Sequence, residues 1–204
     1  MDISCPVDLD TARLRAEVQS MYRRVAIDPG GEFHFHRGPA YAAERLGYDS
    51  IALAKLPASV TASFAGVGNP HAIRSLDAGA TVLDMGCGAG TDLLLAAMAV
   101  GRNGRAIGVD MTDSMTARAR AGAMETGLAN VDVRLGDATD MPVADGSIDV
   151  LISNGVFNLV PDKDRALAEM FRVIAPGGRL QIADIALGME LDAATRRDVD
   201  LWTG

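Results

Sequence analysis

A glycine-rich segment at residues 82–92 constrains the fold of this chain more than any other feature of its sequence. The short apolar run 82–85 leads into glycines at positions 86, 88 and 90, and the apolar stretch 93–100 follows almost at once. Glycine lets the backbone turn sharply and approach a ligand closely, because it has no Cβ atom. A strand, a glycine turn and a helix in this order predict a ligand-binding crossover at the carboxyl edge of a parallel sheet.

Acidic residues recur where the predicted strands end. Asp84 lies inside the glycine segment, Asp110 ends a strand predicted at 105–110, and Asp137 follows a strand predicted at 131–136. An ionised carboxylate only accepts hydrogen bonds, which suits Asp110 to the hydroxyl groups of a ribose and Asp137 to the amino group of an adenine. Because the carboxyl ends of parallel strands meet at one edge, these acids predict a pocket for a nucleoside cofactor.

Strands and helices alternate from residue 81 onward, which predicts an α/β fold with a doubly wound, mostly parallel, Rossmann-like sheet. The predicted strands lie near 81–85, 105–110, 131–136, 148–153 and 178–184, and the predicted helices near 90–100, 113–126, 162–174 and 190–201. Upstream, apolar positions follow a helical period from about residue 8 to 27, and another helix is predicted around 40–46. We therefore expect an N-terminal helical lid segment at 1–65 and a cofactor-binding core at 66–204.

Composition narrows the range of partners and compartments. The chain of 204 residues has a formal net charge of −8 and a pI of about 4.8, which argues against a nucleic-acid or anionic-membrane partner. Its two cysteines, Cys5 and Cys87, form no disulfide framework, and its acidic start does not resemble a secretory signal. The longest apolar stretch, 93–100, is too short to span a bilayer. We expect a soluble, cytoplasmic protein.

The motifs resemble those of a known enzyme class. The spacing Gly-x-Gly-x-Gly differs from the Gly-x-Gly-x-x-Gly fingerprint of dinucleotide-binding proteins, and with Asp84 and Asp137 it resembles motif I of class I S-adenosylmethionine-dependent methyltransferases. The stretch 151–163, with its pattern Asn-x-x-x-Asn-Leu-x-Pro-Asp-Lys, and the stretch 172–180 resemble the arsenite methyltransferase family. This resemblance covers roughly residues 66–204 and implies S-adenosylmethionine as the cofactor. The generic motifs are shared with quinone-biosynthesis methyltransferases, so they indicate fold and cofactor more strongly than substrate.

The resemblance and the strand ends together assign the residues expected to bind the cofactor. The helix that starts near Gly90 favours the cofactor's carboxylate at its N-terminus, and the backbone carbonyls beside Asn154 suit its amino group. The full set is Asp84, Gly86, Gly88, Gly90, Asp92, Asp110, Met111, Gly136, Asp137, Ala138, Ser153 and Asn154.

The chain departs from the arsenite methyltransferase pattern at the positions that bind arsenic. The family's chemistry implies trivalent arsenic held by cysteine thiolates, and such a soft centre needs two or three sulfur ligands. Gly155 stands where that family carries a cysteine, and residues 28–70 contain none. A further family cysteine follows a Trp-x-Gly phrase, whereas the sequence ends at Trp202-Thr203-Gly204. We expect the arsenic site to be absent.

The sequence leaves the catalytic residues unknown and offers three candidates. His34 and His36 alternate, so on a strand they would share one face, and either imidazole could deprotonate an acceptor. Asn154 follows the fourth strand, where its amide could orient the acceptor. No metal site is expected, because His71 is the only other histidine and no acid stands at ligand spacing.

These observations leave several functions open. The leading hypothesis is a small-molecule methyltransferase that resembles the arsenite enzymes but does not use arsenite. An alternative is a quinone- or phenol-type C- or O-methyltransferase, with Phe33, Phe35, Phe64 and Phe157 as an apolar wall. Another is a cofactor-binding or regulatory module without turnover.

The resemblance also implies an exposed sheet edge. Methyltransferases of this class normally continue past the fifth strand into an antiparallel hairpin, whereas only five strands and a last helix are counted here, so we expect the C-terminal strands to be missing. Strand 178–184 should then lie at an edge with no proline to discourage pairing. We expect either a homodimer that covers this edge or a chain cut from a longer protein.

Overall fold

A five-stranded parallel sheet with helices on both faces forms the centre of the molecule. The computed structural model describes residues 11–186. The strands run in the order β3-β2-β1-β4-β5, and every pairing between them is parallel. This arrangement confirms the predicted doubly wound Rossmann-like class. The strands are β1 Thr81–Met85, β2 Arg105–Asp110, β3 Val131–Leu135, β4 Ile148–Asn154 and β5 Ile174–Ala183. The helices are α1 Thr11–Ile27, α2 Gly38–Leu46, α3 Ser50–Leu53, α4 Ala58–Thr61, α5 Thr91–Val100, α6 Asp113–Glu125 and α7 Lys163–Val173.

The apolar core lies on both faces of the two central strands, because crossover helices cover a parallel sheet on each side. On one face, Leu83 and Leu151 pack with Met170 of α7. On the other, Val82 and Ile152 pack in a cluster with α5. Residue alternation along β1 and β4 therefore buries both faces, and the acidic and polar residues are left for the strand ends.

The N-terminal helices pack against the core instead of standing apart from it. Helix α1 lies on α6, where Val25 joins a buried cluster with Met115. Val60 of α4 is fully buried beside Leu94 of α5. These contacts bring residues from the first third of the chain to the carboxyl edge of the sheet. The division into a lid at 1–65 and a core at 66–204 stays a prediction.

Most predicted helices and strands are present, with bounds within a few residues of those predicted. Two expectations need correction. Residues 31–37 do not form a strand, so the argument that His34 and His36 share a strand face is wrong. The sequence there contains Gly31 and precedes Gly38-Pro39, and the chain is irregular until α2 begins. Strand β5 starts at Ile174 instead of 178, with a register shift opposite β4 where Pro176-Gly177-Gly178 loops out. The helix predicted at 190–201 lies outside the described residues.

The sheet has β5 at one edge, as expected from the strand count. The homodimer proposed to cover this edge stays a prediction. Within residues 11–186, none of the helices combines the length and apolar character needed to cross a membrane.

Candidate functional site

The glycine turn after β1 forms the floor of a cleft at the carboxyl edge of the sheet. Gly86 and Gly88 both have positive φ angles, +74° and +51°, which residues with a Cβ adopt only under strain. The amides of Gly86 and Cys87 donate to the carbonyl of Val109, at 2.8 and 3.1 Å, and so fasten the turn to β2. A Cβ on Gly86 would collide with the side chain of Val156, whereas one on Gly88 would project into open space.

Asp110 joins the glycine turn to the start of the next crossover. Its Oδ2 accepts from the amide of Gly88 at 2.9 Å, and its Oδ1 accepts from the amide of Thr112 at 2.8 Å. Burial raises the pKa of this carboxyl, and the two backbone hydrogen bonds oppose that rise. Since a carboxylate can accept about four hydrogen bonds, Asp110 keeps the capacity for ligand hydroxyl groups.

Asp137 lies at the other end of the cleft, beyond β3. Its Oδ1 accepts from the amide and the hydroxyl of Thr139, at 2.8 and 2.6 Å. Its Oδ2 pairs with Arg15 Nη2 of α1 at 3.0 Å, and the side chains are 47% and 23% exposed, Arg15 first. Gly136 and Ala138 flank it in the wall of the cleft.

Asp84 is the most deeply buried acid of the cleft. The residue is 2% exposed, and its Oδ2 has no hydrogen-bond partner among the described residues. Burial raises its pKa well above the ordinary value, and the negative charges of Asp92 and Asp110 raise it further. A buried carboxyl with one oxygen unpaired, beside two other acids, favours a ligand that brings positive charge and hydrogen-bond donors.

Asp92, at the start of α5, is enclosed by three side chains. Tyr48 donates its hydroxyl to Asp92 Oδ1 at 2.6 Å, and Asn154 Nδ2 donates to Oδ2 at 3.0 Å. His71 Nε2 lies 3.2 Å from Oδ1, close enough for an ion pair if the imidazole is protonated, but without the angle of a hydrogen bond. Burial, with the charge of Asp92, raises the pKa of Tyr48 strongly, so its hydroxyl remains a neutral donor.

The structure brings nearly all the predicted cofactor-binding residues into one cleft. Those that line it are Asp84, Gly86, Gly88, Asp92, Asp110, Met111, Gly136, Asp137, Ala138 and Asn154. Gly90 lies just behind this surface, where it caps α5 and packs against Ala119. Ser153 is fully buried and also stands behind the cleft wall. That these residues bind a cofactor stays a prediction, which their convergence supports.

The predicted general bases do not reach this cleft. His34 and His36 are exposed, and each packs against a neighbouring ring, Phe35 and Tyr41 respectively. Neither belongs to the cleft wall formed by residues 11–186. Cys87 lies in the glycine turn, buried, and burial together with Asp110 and Asp84 raises the pKa of its thiol well above the ordinary value.

Sequence reasoning missed the side chains that the N-terminal segment contributes to the cleft. Helix α1 supplies Arg15, Val18 and Tyr22, and the segment after α4 supplies residues 63–66. Burial, with the charges of Asp110 and Asp184, raises the pKa of Tyr22 to about 12. The helical period of the sequence predicted which residues of α1 form its apolar face. It could not show whether this face contacts the protein core or a ligand, because both cases give the same apolar pattern.

No cluster of histidine, cysteine and acidic side chains suited to a metal ion occurs between residues 11 and 186.

Comparison with known proteins gives the family. Residues 76–203 match a family described as the methyltransferase domain. The chain belongs to this family. The chain is 42% identical over 165 residues to an arsenite methyltransferase of Halobacterium salinarum, covering 81% of this chain and 42% of that protein. It is 39% identical over 116 residues to nocamycin O-methyltransferase of Saccharothrix syringae, covering 54% and 41%. It thus spans less than half the length of these relatives.

A solved structure supports the same assignment. The methyltransferase domain superposes on an arsenic(III) S-adenosylmethionine methyltransferase from Chlamydomonas reinhardtii with a TM-score of 0.66 and 36% identity, covering 71% of this chain and 51% of that one. The expected class, a class I S-adenosylmethionine-dependent methyltransferase of the arsenite methyltransferase type, is confirmed.

Proposed function

We propose that this domain transfers a methyl group from S-adenosylmethionine to a small-molecule acceptor. The observation that carries the proposal is the convergence of acids in the cleft, with a buried and unpaired oxygen on Asp84. S-adenosylmethionine matches this charge, because it carries an ammonium and a sulfonium next to a nucleoside. Isothermal titration with S-adenosylmethionine and S-adenosylhomocysteine tests the proposal, and the absence of binding by both would refute it.

Each part of the cofactor has a counterpart in the cleft. Asp110 would accept the ribose hydroxyls, and Asp137 with Ala138 would hold the adenine. Asp84, with its free Oδ2, would face the ammonium. The glycine turn allows a ligand to lie directly on the backbone, since Gly88 has open space where a Cβ would stand.

The bound cofactor supplies a methyl group already activated by positive sulfur. The contribution of the protein is therefore alignment and exclusion of water. Tyr22 and Val18 of α1 close one side of the cleft, and Phe64, Ala65 and Gly66 close another. Because the proposed cofactor supplies the reactive group, the cleft needs acids and apolar walls that position its ligands and does not need a catalytic nucleophile with a general base.

We propose that arsenite is not the acceptor. Cys87 is the only cysteine among the described residues, and its buried thiol with a raised pKa is a poor thiolate. Gly155 lines the cleft beside Val67, whose Cγ1 would lie 3.2 Å from a Cβ at that position, so apolar groups surround it. Incubation with labelled S-adenosylmethionine should give little product from arsenite. Efficient arsenite methylation that depends on Cys5 and Cys87 would contradict this.

A phenol- or quinone-type acceptor is the second candidate, because apolar side chains form part of the cleft wall. They are Phe64, Val156, Leu159, Val160 and Pro161. The relative named as an O-methyltransferase fits this reading. Screening apolar phenols beside arsenite with labelled cofactor separates the two candidates.

The aromatic wall predicted for such an acceptor is only partly placed as expected. Phe64 lines the cleft, whereas Phe157 packs into the core beside β4. Phe33 and Phe35 pack with Tyr22 outside the cleft wall, where Arg37 lies 4.0 Å from the centre of the Phe33 ring. A cofactor-binding module without turnover remains the third candidate, and methyl transfer to any acceptor in the screen would eliminate it.

A further inference from the structure

A buried polar network beside the cleft links four distant parts of the chain. Asp92 begins α5, Asn154 ends β4, Tyr48 lies between α2 and α3, and His71 follows the segment 66–68. Asp92 and Tyr48 are 7% and 6% exposed. Charge-assisted hydrogen bonds in such surroundings are stronger than those at the surface, and losing one partner leaves a buried polar group unpaired.

Asn154 makes polar contacts with several other parts of this network. Its Nδ2 lies within hydrogen-bond distance of Tyr48 Oη at 3.0 Å, the carbonyl of Gly68 at 2.9 Å and Asp92 Oδ2 at 3.0 Å. Its Oδ1 accepts from the amides of Val67 and Gly68, at 2.8 and 3.1 Å. A primary amide has two donor hydrogens and two acceptor lone pairs, so these contacts saturate it. The amide is then not available to orient an acceptor.

The backbone that Asn154 holds, at 67–68, directly follows residues 63–66 of the cleft wall. We call the segment 64–68 the roof of the cleft. Gly66, the residue before Val67, lines the cleft, and a Cβ there would collide with Asn154. Phe64, another roof residue, packs edge-on against the ring of Tyr48, with centroids 5.2 Å apart. The network therefore fixes the roof from two directions, by hydrogen bonds at 67–68 and by ring packing at Phe64.

We propose that Tyr48, Asp92 and Asn154 are positioning residues that hold the roof segment 64–68 over the place where the acceptor meets the cofactor. The role in turnover rests on the proposed methyltransferase function, whereas the role in holding the roof does not. Asp92 also lines the cleft, and the role proposed for it here is the one it has through its protein partners Tyr48 and Asn154.

The first experiment tests whether Asp92 and Asn154 act as a pair. Asp92→Asn removes one of the two acceptor oxygens that receive Tyr48 and Asn154, and Asn154→Asp places two carboxylates together, so each single variant should bind S-adenosylhomocysteine and turn over less well than wild type. The double variant Asp92→Asn/Asn154→Asp exchanges donor and acceptor and restores a hydrogen bond between the two positions. It should be less impaired than the product of the single effects. Independent effects that simply multiply would overturn the pairing.

The second experiment removes one hydroxyl outside the cleft wall. Tyr48→Phe should speed hydrogen exchange at the amides of Val67 and Gly68 by about tenfold or more, because it removes the hydroxyl that donates to Asp92 and lies 3.2 Å from the carbonyl of Gly68. Tyr41→Phe is the matched control, since Tyr41 lies on α2 with its ring on His36 and outside the network. Asn154→Ala should give the larger acceleration at the same two amides. Unchanged exchange in both Tyr48→Phe and Asn154→Ala would overturn the proposal.

Turnover then separates positioning from general stability. With the best phenol from the screen, Tyr48→Phe should lower kcat/KM about tenfold while the Kd for S-adenosylhomocysteine changes less than about threefold. Equal losses in both would indicate a merely structural role and contradict the proposal. If wild type methylates no acceptor, the proposed function fails, but exchange at Val67 and Gly68 still decides whether the network holds the roof.

Discussion

At the scale of single residues, the environment of Asp84 says most about the ligand of the cleft. Its carboxyl is buried, half unpaired and surrounded by like charges, which raises its pKa well above the ordinary value. A nearby positive charge favours the ionised carboxylate, so a cationic ligand would lower this raised pKa.

Binding of S-adenosylmethionine should release a proton from Asp84. A nearby ammonium favours the carboxylate, so the raised pKa falls on binding, and affinity should increase with pH through the range in which the free carboxyl is partly protonated. Titration calorimetry in buffers of different ionisation enthalpy measures the number of protons. Asp84→Asn should abolish this release, and equal release from the variant would show that another group is responsible.

A substitution of Asp110 tests the proposed ribose site directly. Asp110→Ala should weaken cofactor binding by tenfold or more, because hydrogen bonds to a charged acceptor contribute roughly 1.5–3 kcal/mol each and a factor of ten is about 1.4 kcal/mol. The glycine turn also loses the acceptor for Gly88. Asp113→Ala is the control, since Asp113 is exposed at the start of α6 and outside the cleft wall. Wild-type affinity in Asp110→Ala would mean that the ribose lies elsewhere.

How far the sequence predicted individual residues depended on whether their partners were local. Gly86, Gly88 and Asp110 could be predicted because a strand, a turn and a strand end lie within about one crossover of each other. The partners of Asp92 and Asn154 could not, because Tyr48 is 44 residues from Asp92 in sequence and 106 from Asn154. Sequence spacing shows which acids converge on an edge, but not whether a protein group or a ligand will satisfy them.

At the scale of elements, the loop after β3 is held in place by α7. Arg172 donates to Glu169 through Nε and Nη2, both at 2.7 Å, and Glu169 Oε2 also accepts from the amide of Met141 at 2.8 Å. The hydrogen bonds from Arg172 lower the pKa of Glu169, whose side chain is 15% exposed. This loop begins with Gly136 and Asp137, so the anchor on α7 supports the part of the cleft wall that these two residues form.

Glu169→Gln should destabilise the fold by about 1–3 kcal/mol at pH 7, because it removes the charged partner of Arg172. The folded-state pKa of Glu169 is depressed, so its contribution is present above the unfolded value near 4.3 and is lost as pH falls through the lower folded value. Urea unfolding should therefore show wild type and variant converging below about pH 4. Glu125→Gln, at an exposed site on α6, should match wild type throughout, and a constant gap between wild type and Glu169→Gln would contradict the charge argument.

Helices and strands could be predicted from the sequence where one regular pattern of apolar residues extended through the whole element. The strict alternation of β1 to β4 with α5 to α7 gave their bounds within one or two residues. The segment 31–37 could not be predicted in this way, because alternating Phe and His imitates a strand, whereas in the structure Phe35 packs on Tyr22 of α1 and on Phe33. An alternating pattern therefore predicts a strand only where the segment can pair with a neighbouring strand.

At the scale of the whole molecule, the cleft belongs jointly to the core and to the N-terminal helices. Arg15 pairs with Asp137 beyond β3, Gln19 donates to the carbonyl of Met111 at 3.0 Å, and Arg23 reaches Asp113 at 3.5 Å. Three contacts on successive turns of α1 thus cross to the carboxyl edge of the sheet. A ligand in the cleft touches both parts, so it should tighten their association.

Ligand binding should therefore be visible in α1 as well as in the glycine turn. Saturation with S-adenosylhomocysteine should slow hydrogen exchange along α1, because Val18 and Tyr22 line the cleft and opening the helix would expose the ligand. The exposed amides of α7, which contributes nothing to the cleft wall, serve as the internal reference. Gln19→Ala should reduce the protection of α1 without changing that of α7, since it removes the bond to Met111. Protection restricted to the turn and strand ends, with α1 exchanging at its free rate, would mean that the N-terminal helix packs on the core without taking part in the site.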